Sequence, residues 1–102
     1  MGTDRRHFPR RHIMLEVRSE DLAQSGLRTT DISLGGCYIE TMGPVPVGDE
    51  IAFEILLPAG NWIQLRGVVV YHHPTVGFGL RYTGLTEEQK STLTQLIEGT
   101  GS

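Results

Sequence analysis

Apolar and polar residues alternate with a period of two through most of this chain. In the first such segment Ile13, Leu15 and Val17 alternate with Met14, Glu16 and Arg18, which is typical of a strand with one buried face. The same alternation recurs over residues 27–32, 37–41, 51–57, 63–71 and 76–82. The sequence therefore predicts six strands.

The segments between these strands favour antiparallel pairing. Residues 58–61, Pro-Ala-Gly-Asn, and residues 73–75, His-Pro-Thr, are typical of tight turns, whereas residues 42–48 predict a longer loop. Strands and helices do not alternate along the chain, which excludes a parallel sheet. Six antiparallel strands are fewer than the eight that enclose a ligand-sized hollow, so we predict a barrel filled by side chains.

The pattern changes to a helical one near the C-terminus. Thr86 and Gln89 fit a capping box, and Leu93, Leu96 and Ile97 fall on one helical face. Gly99 is placed to end the helix. We predict a mainly all-β fold with a short C-terminal α-helix at about residues 87–98 that packs on the barrel.

Composition limits the class of protein. The 102 residues suffice for one domain, and no apolar stretch approaches the roughly 18 residues of a membrane span. No secretory signal is evident, so we expect a cytoplasmic protein without a membrane partner. A net charge of -3 and a pI near 5.7 disfavour broad DNA or RNA binding. The single cysteine, Cys37, excludes an internal disulfide and a cysteine-based zinc site.

Against this acidic background, residues 5–11 concentrate four arginines in the run Arg-Arg-His-Phe-Pro-Arg-Arg. The guanidinium fork matches phosphate oxygens and the guanine edge. Pro9 favours a stiff bend that would let Arg6 and Arg10 converge on one ligand. We predict a flexible arm over residues 1–11 and a barrel domain over residues 12–99, with a solvated basic tail as the plain alternative.

A second candidate segment is residues 31–36, Asp-Ile-Ser-Leu-Gly-Gly. Its simplest interpretation is a turn that ends a strand, because Asp and Ser bond neighbouring backbone and Gly permits positive φ. The alternative is a ligand cradle. There Asp31 would accept from guanine N–H donors, Ser33 would bind phosphate or base, and Gly35 and Gly36 would let the backbone approach closely.

These two segments resemble the signature motifs of the PilZ domain family, R-x-x-x-R and [D/N]-x-S-x-x-G. They stand here as residues 6–10 and 31–36, in the family's order, and the strands at 66–69 and 76–82 extend the resemblance over nearly the whole chain. The resemblance implies a six-stranded antiparallel barrel with a C-terminal helix. It also implies a bacterial receptor for the second messenger cyclic di-GMP, with no catalysis, no metal and no other cofactor.

The resemblance further assigns roles to individual residues. Arg6 and Arg10 would grip guanine edges and phosphates, while Asp31, Ser33 and Gly36 would line the opposite side of the ligand. An arginine at the position of Arg5 is associated in the family with an interleaved cyclic di-GMP dimer, so two ligand molecules per chain are expected. Binding would order the arm and change the surface offered to an unidentified protein partner.

Several alternatives remain open from the sequence. One is a PilZ-like interaction module that binds no ligand. Another is a small barrel that binds single-stranded nucleic acid through the arm and Trp62. Trp62 is, however, more typical of a packing residue at the barrel rim. His72 and His73 lack a third metal ligand, and Ser33 lacks a nucleophile elbow. Gly77 and Gly79 indicate close approach of the helix or the ligand.

Overall fold

The computed structural model describes residues 10–98. It contains seven strands and one helix: β1 (Arg10–Arg11), β2 (Glu16–Arg18), β3 (Leu27–Ser33), β4 (Gly36–Glu40), β5 (Glu50–Leu56), β6 (Trp62–His73), β7 (Gly77–Tyr82) and α1 (Glu87–Ile97). Each strand beyond β1 corresponds to one of the six predicted segments. The predicted end of the helix at Gly99 lies outside the described residues.

Six of the strands form a closed antiparallel barrel. The pairing runs β2–β5–β6–β7–β4–β3, and β3 pairs back with β2 to close the ring. The inward side chains form one continuous core that fills the barrel, with Ile39, Ile55 and Phe78 fully buried. The predicted six-stranded barrel with a C-terminal helix is therefore confirmed.

The extra strand, β1, lies along the same edge of β3 as β2 does. Arg10 pairs with Ser33 and Arg11 with Ile32, while β2 pairs further along with Leu27 and Arg28. Arg10 and Arg11 thus belong to the sheet, although the sequence predicts a flexible arm over residues 1–11. The physical reason is that β3 is longer than β2 and its free backbone groups accept a second short strand.

The first predicted strand, from Ile13 onwards, is interrupted before β2 by a buried hydroxyl. The Thr29 side chain is completely buried; it accepts a hydrogen bond from Leu15 N at 3.0 Å and donates one to Ile13 O at 2.8 Å. The backbone N–H of Thr29 also donates to Leu15 O at 2.9 Å. These three bonds replace the regular ladder and fix the path from β1 to β2.

The helix α1 packs on the barrel beside β3, and Gln89 Nε2 donates a hydrogen bond to the backbone carbonyl of Gln64 on β6 at 2.6 Å. Its N-terminus has the predicted capping box, since Thr86 Oγ1 accepts from Gln89 N and Gln89 Oε1 accepts from Thr86 N. Leu93 and Leu96 are buried against the core. Within residues 10–98, no helix has both the length and the apolar character needed to cross a membrane.

Candidate functional site

The site begins with a β-bulge at Thr30 that determines which way Asp31 points. Leu27 and Thr29 face the core, so an uninterrupted strand would also turn Asp31 inwards. The register shift between Thr29 and Asp31 restarts the alternation, and Ile32 becomes the next fully buried residue. Asp31 therefore lies on the outer face of the barrel, where its carboxylate can meet a ligand.

The second arginine of the R-x-x-x-R motif lies beside this carboxylate. Arg10 Nη1 is 3.9 Å from Asp31 Oδ2, and their side chains are 46% and 16% exposed. The β1–β3 pairing places Arg10 opposite Ser33. Asp31 lies two residues before Ser33 on β3, so it is a diagonal neighbour of Arg10. The structure thus brings together Arg10, Asp31 and Ser33; the predicted Arg5 and Arg6 lie outside the described residues.

The hydroxyl of Ser33 organises the turn between β3 and β4. It accepts hydrogen bonds from Gly35 N at 3.1 Å and Gly36 N at 3.2 Å, and it donates to Gly36 O at 3.2 Å. One donor and two acceptor positions are all that a serine hydroxyl has. Ser33 therefore satisfies the turn itself, as the simpler interpretation of this segment predicts.

Gly36 is required by the packing of the neighbouring strand. A Cβ at this position would collide with the backbone carbonyl of Leu80 on β7. The adjacent Gly35 O accepts a hydrogen bond from Tyr82 N at 3.0 Å, which fixes the turn to the same strand. Gly36 thus allows β4 and β7 to approach each other closely in the turn that follows Asp31 and Ser33.

A row of aromatic residues extends from Asp31 across the outer face of the barrel. The sequence alone did not indicate that these residues belong to the site. Asp31 is opposite Tyr38 on β4, Tyr38 is opposite Gly79 on β7, and Gly79 is opposite Tyr71 on β6. Residues that face each other across antiparallel strands share one side of the sheet. The Tyr38 and Tyr71 ring centroids are 6.1 Å apart, so the two rings and the carboxylate form one continuous surface.

Tyr71 lies in this row because of a second bulge, at Val70. The predicted alternation from Ile63 to Val69 would place Tyr71 in the core, but the register shift between Val69 and Tyr71 turns it outwards, and the residue is 43% exposed. Its ring covers Gly79, where a Cβ would lie 2.7 Å from Tyr71 Cε2. The close approach predicted at Gly77 and Gly79 is thus made by the Tyr38 and Tyr71 rings and backbone of β4, not by α1.

His73 completes the aromatic cluster at the end of β6. Its Nδ1 lies 2.9 Å from the Tyr38 hydroxyl, and its ring centroid is 5.1 Å from that of Tyr71. Partial burial, with the nearby phenol of Tyr71 and the negative charge of Asp31, raises the pKa of Tyr38. The Tyr38 hydroxyl therefore stays neutral near pH 7 and can serve as a hydrogen-bond donor. The alternation of Tyr38 with the apolar Cys37 and Ile39 was the sequence signal for its outward position.

Beneath this surface lies a buried pair, Cys37 and Tyr82. Burial raises the pKa of the Cys37 thiol to about 12, and burial also raises the pKa of Tyr82. The Tyr82 hydroxyl has no hydrogen-bond partner of normal geometry among residues 10–98. Both groups remain protonated at neutral pH, so Cys37 acts as a small core residue and not as a nucleophile.

Other features of the barrel do not form a comparable site. Among residues 10–98, no three His, Cys, Asp or Glu side chains are grouped to hold a metal ion. Trp62 has the Arg18 guanidinium 3.8 Å above its ring centre, which occupies one stacking face. A polar groove lies elsewhere, and it is lined by Arg18, Ser19, Glu20, Asp21, Ala52, Phe53, Glu54, Gln64, Leu65, Arg66 and Gln89.

Two of the charged side chains in that groove, Arg18 and Glu54, are paired with each other. Arg18 Nε is 2.6 Å from Glu54 Oε1, and the hydrogen bond from Arg18 lowers the pKa of Glu54. The Asp21 carboxylate accepts from Ala52 N at 2.8 Å, where the short β2 leaves the edge of β5 without a strand partner. Arg18, Asp21 and Glu54 thus make contacts within the barrel itself.

Comparisons with known proteins agree with this architecture. A family model described as "PilZ domain" matches residues 4–99. This chain therefore belongs to the PilZ domain family, and the family predicted from the two motifs is confirmed. No curated protein matches the chain significantly.

Three solved structures share the fold at low sequence identity. The inhibitor of motility MotI/DgrA from Bacillus subtilis is 20% identical, with a TM-score of 0.78 over 97% of this chain and 52% of that one. The PilZ domain of YcgR from Escherichia coli, solved with c-di-GMP, is 19% identical, with a TM-score of 0.73 over 93% and 90%. The PilZ domain of CeSA from a cellulose-synthesizing bacterium is 19% identical, with a TM-score of 0.62 over 92% and 99%. The chain spans about half the length of the Bacillus protein.

Proposed function

We propose that this protein is a receptor for cyclic di-GMP and that the ligand binds on the outer face of the barrel at Arg10 and Asp31. The observation that carries the proposal is the 3.9 Å separation of Arg10 Nη1 and Asp31 Oδ2. This contact brings together one residue from each PilZ signature motif, Arg10 and Asp31, on the surface of the barrel. The YcgR domain that shares this fold was solved with c-di-GMP, which supports the same ligand here.

The chemistry of the described residues suits a guanine dinucleotide. Asp31 can accept from the N1 and N2 donors of guanine, and Arg10 can exchange its contact with Asp31 for a bidentate contact to a guanine edge or a phosphate. The neighbouring rings of Tyr38 and Tyr71 offer a surface on which a base can stack. The motif also assigns Gly35 and Gly36 to this ligand, although Gly36 packs against Leu80 on β7. We assign Arg5 and Arg6 to the same ligand on the basis of the motif alone.

Titration calorimetry with cyclic di-GMP tests this assignment. Arg10→Ala and Asp31→Ala should each weaken binding by about 5-fold to 150-fold, because one bidentate contact contributes about 1 to 3 kcal/mol. Arg28→Ala is the matched control, since Arg28 is also an exposed arginine in an ion pair, 3.1 Å from Glu40. Wild-type affinity in both site variants, or an equal loss in the control, would contradict the proposed site.

We propose further that the ligand binds as an interleaved dimer, which carries four phosphate charges and would make use of a third guanidinium, that of Arg5. Calorimetry should then give two ligand molecules per wild-type chain. Arg5→Leu should lower the ratio towards one while Arg6 and Arg10 retain binding. A wild-type ratio of one would show that Arg5 is not needed for this purpose.

The output of such a receptor is proposed to be a change in the surface that a protein partner contacts, in the bacterial cytoplasm and without catalysis. Binding of a short single-stranded oligonucleotide in place of cyclic di-GMP would favour the nucleic-acid alternative. The Arg18 contact on Trp62 weighs against that alternative, because it covers one face of an aromatic that the alternative requires. Binding of neither ligand would favour an interaction module.

A further inference from the structure

The two residues of β1 point to opposite sides of the sheet and contact different parts of the protein. Arg10 lies on the outer side, near Asp31. Arg11 is paired with Ile32, whose side chain is fully buried in the core, so Arg11 lies on the inner side at the end of the barrel. Its Nη1 donates a hydrogen bond to the backbone carbonyl of Leu96 at 3.2 Å.

This contact closes a long loop in the chain, because Arg11 and Leu96 are 85 residues apart. Leu96 belongs to the last turn of α1, where the backbone carbonyls carry the negative end of the helix dipole, and its carbonyl also accepts from the backbone N–H of Glu98. The last turn of α1 contains no basic residue of its own. Arg11 thus supplies from β1 the positive charge that the last turn of α1 lacks, and it adds a second hydrogen bond to the Leu96 carbonyl.

We propose that Arg11 is a positioning residue that couples the arginine arm to α1. Its bond to Leu96 O holds β1 against β3 and so keeps Arg10 beside Asp31. Because the same two-residue strand carries both side chains, a ligand that fixes Arg10 also fixes Arg11 on the helix. Ligand binding and docking of the last helical turn then stabilise each other by the same factor. The ligand half of this inference rests on the proposed function.

The first test needs no ligand. Arg11→Met keeps the aliphatic stem but removes the charge and the donors, and it should lower amide-exchange protection of residues 95–98 by about two- to fivefold. Arg11→Lys, which retains a charge and a donor, should restore much of the protection. Arg28→Met is the control, because it removes an arginine that contacts Glu40 on the barrel surface and not α1. Unchanged exchange in the Arg11→Met protein would overturn the inference.

The second test adds cyclic di-GMP to the same proteins. The ligand should increase protection of residues 95–98 in the wild type but not in Arg11→Met, and Arg11→Met should bind it about two- to fivefold more weakly. An equal loss of affinity in Arg28→Met would indicate general charge attraction and would overturn the coupling. Failure of the wild type to bind would refute the proposed function, while the exchange experiment would still decide whether Arg11 holds the helix end.

Discussion

Replacement of Thr29 by valine tests the contact that leads the chain from β1 into the barrel. The Thr29 side chain is 0% exposed, and valine has nearly the same shape without the hydroxyl. The substitution leaves the apolar packing in place but removes the Thr29 hydroxyl. In the wild type this hydroxyl lies 3.0 Å from Leu15 N and 2.8 Å from Ile13 O. The change in the free energy of unfolding therefore measures these two hydrogen bonds.

The expected loss is about 2 to 4 kcal/mol. A buried donor or acceptor that loses its partner costs about 1 to 3 kcal/mol, and two such groups are affected here. Ile13 and Leu15 are only half-buried, so water can partly replace the hydroxyl, which favours the lower part of the combined range. Because a domain is stabilised by only about 5 to 15 kcal/mol, this loss is readily measured.

Urea unfolding followed by circular dichroism measures the effect as a lower midpoint with an unchanged slope. Thr30→Val is the matched control, because Thr30 is the next residue, is half-buried at the bulge, and makes no side-chain hydrogen bond with residues 10–98. The control should change stability by less than about 0.5 kcal/mol. A loss below about 1 kcal/mol in Thr29→Val would show that the hydroxyl does not hold this segment.

Three further outcomes follow from the site. Ser33→Ala should lower the free energy of unfolding by about 0.5 to 1.5 kcal/mol in urea titrations, because its hydroxyl bonds the turn; an effect on ligand affinity alone would contradict this. Tyr71→Ala should weaken cyclic di-GMP binding by about 1 to 3 kcal/mol in calorimetry, whereas Tyr71→Phe should bind normally, since stacking requires only the ring. Burial raises the pKa of Cys37 from 9.0 to about 12, so the stabilisation from its protonated thiol is complete below about pH 9 and is lost as the pH rises towards 12. Urea titrations should show this decline, at up to about 1.4 kcal/mol per pH unit, and in Cys37→Ala it should be less steep by that amount, because Tyr82 and Tyr38, whose pKa values are also raised, still contribute above about pH 10.

The amino-acid sequence alone was enough to predict the six barrel strands, the helix and the family, but not the short seventh strand β1. These features depend on neighbours in the chain: a period of two marks a half-buried strand, and the Thr86 hydroxyl and Gln89 side chain lie within one helical turn. The two motifs could also be identified from the sequence, because each occupies a few consecutive positions. Asp31, Ser33 and Arg10 could therefore be named as candidate site residues from the sequence, and their role in ligand binding stays a prediction.

The aromatic surface and the helix contact could not be predicted from the sequence, because they depend on how distant strands pair. Tyr71 lies on the same outer face as Asp31 because of bulges at Thr30 and Val70, and a single extra residue in a strand reverses every side chain that follows it. No local pattern marks such a shift, since it depends on the partner strand. The bond from Arg11 to Leu96 O likewise joins residues 85 positions apart. Closure of the barrel brings them together, because both β1 and α1 pack against β3.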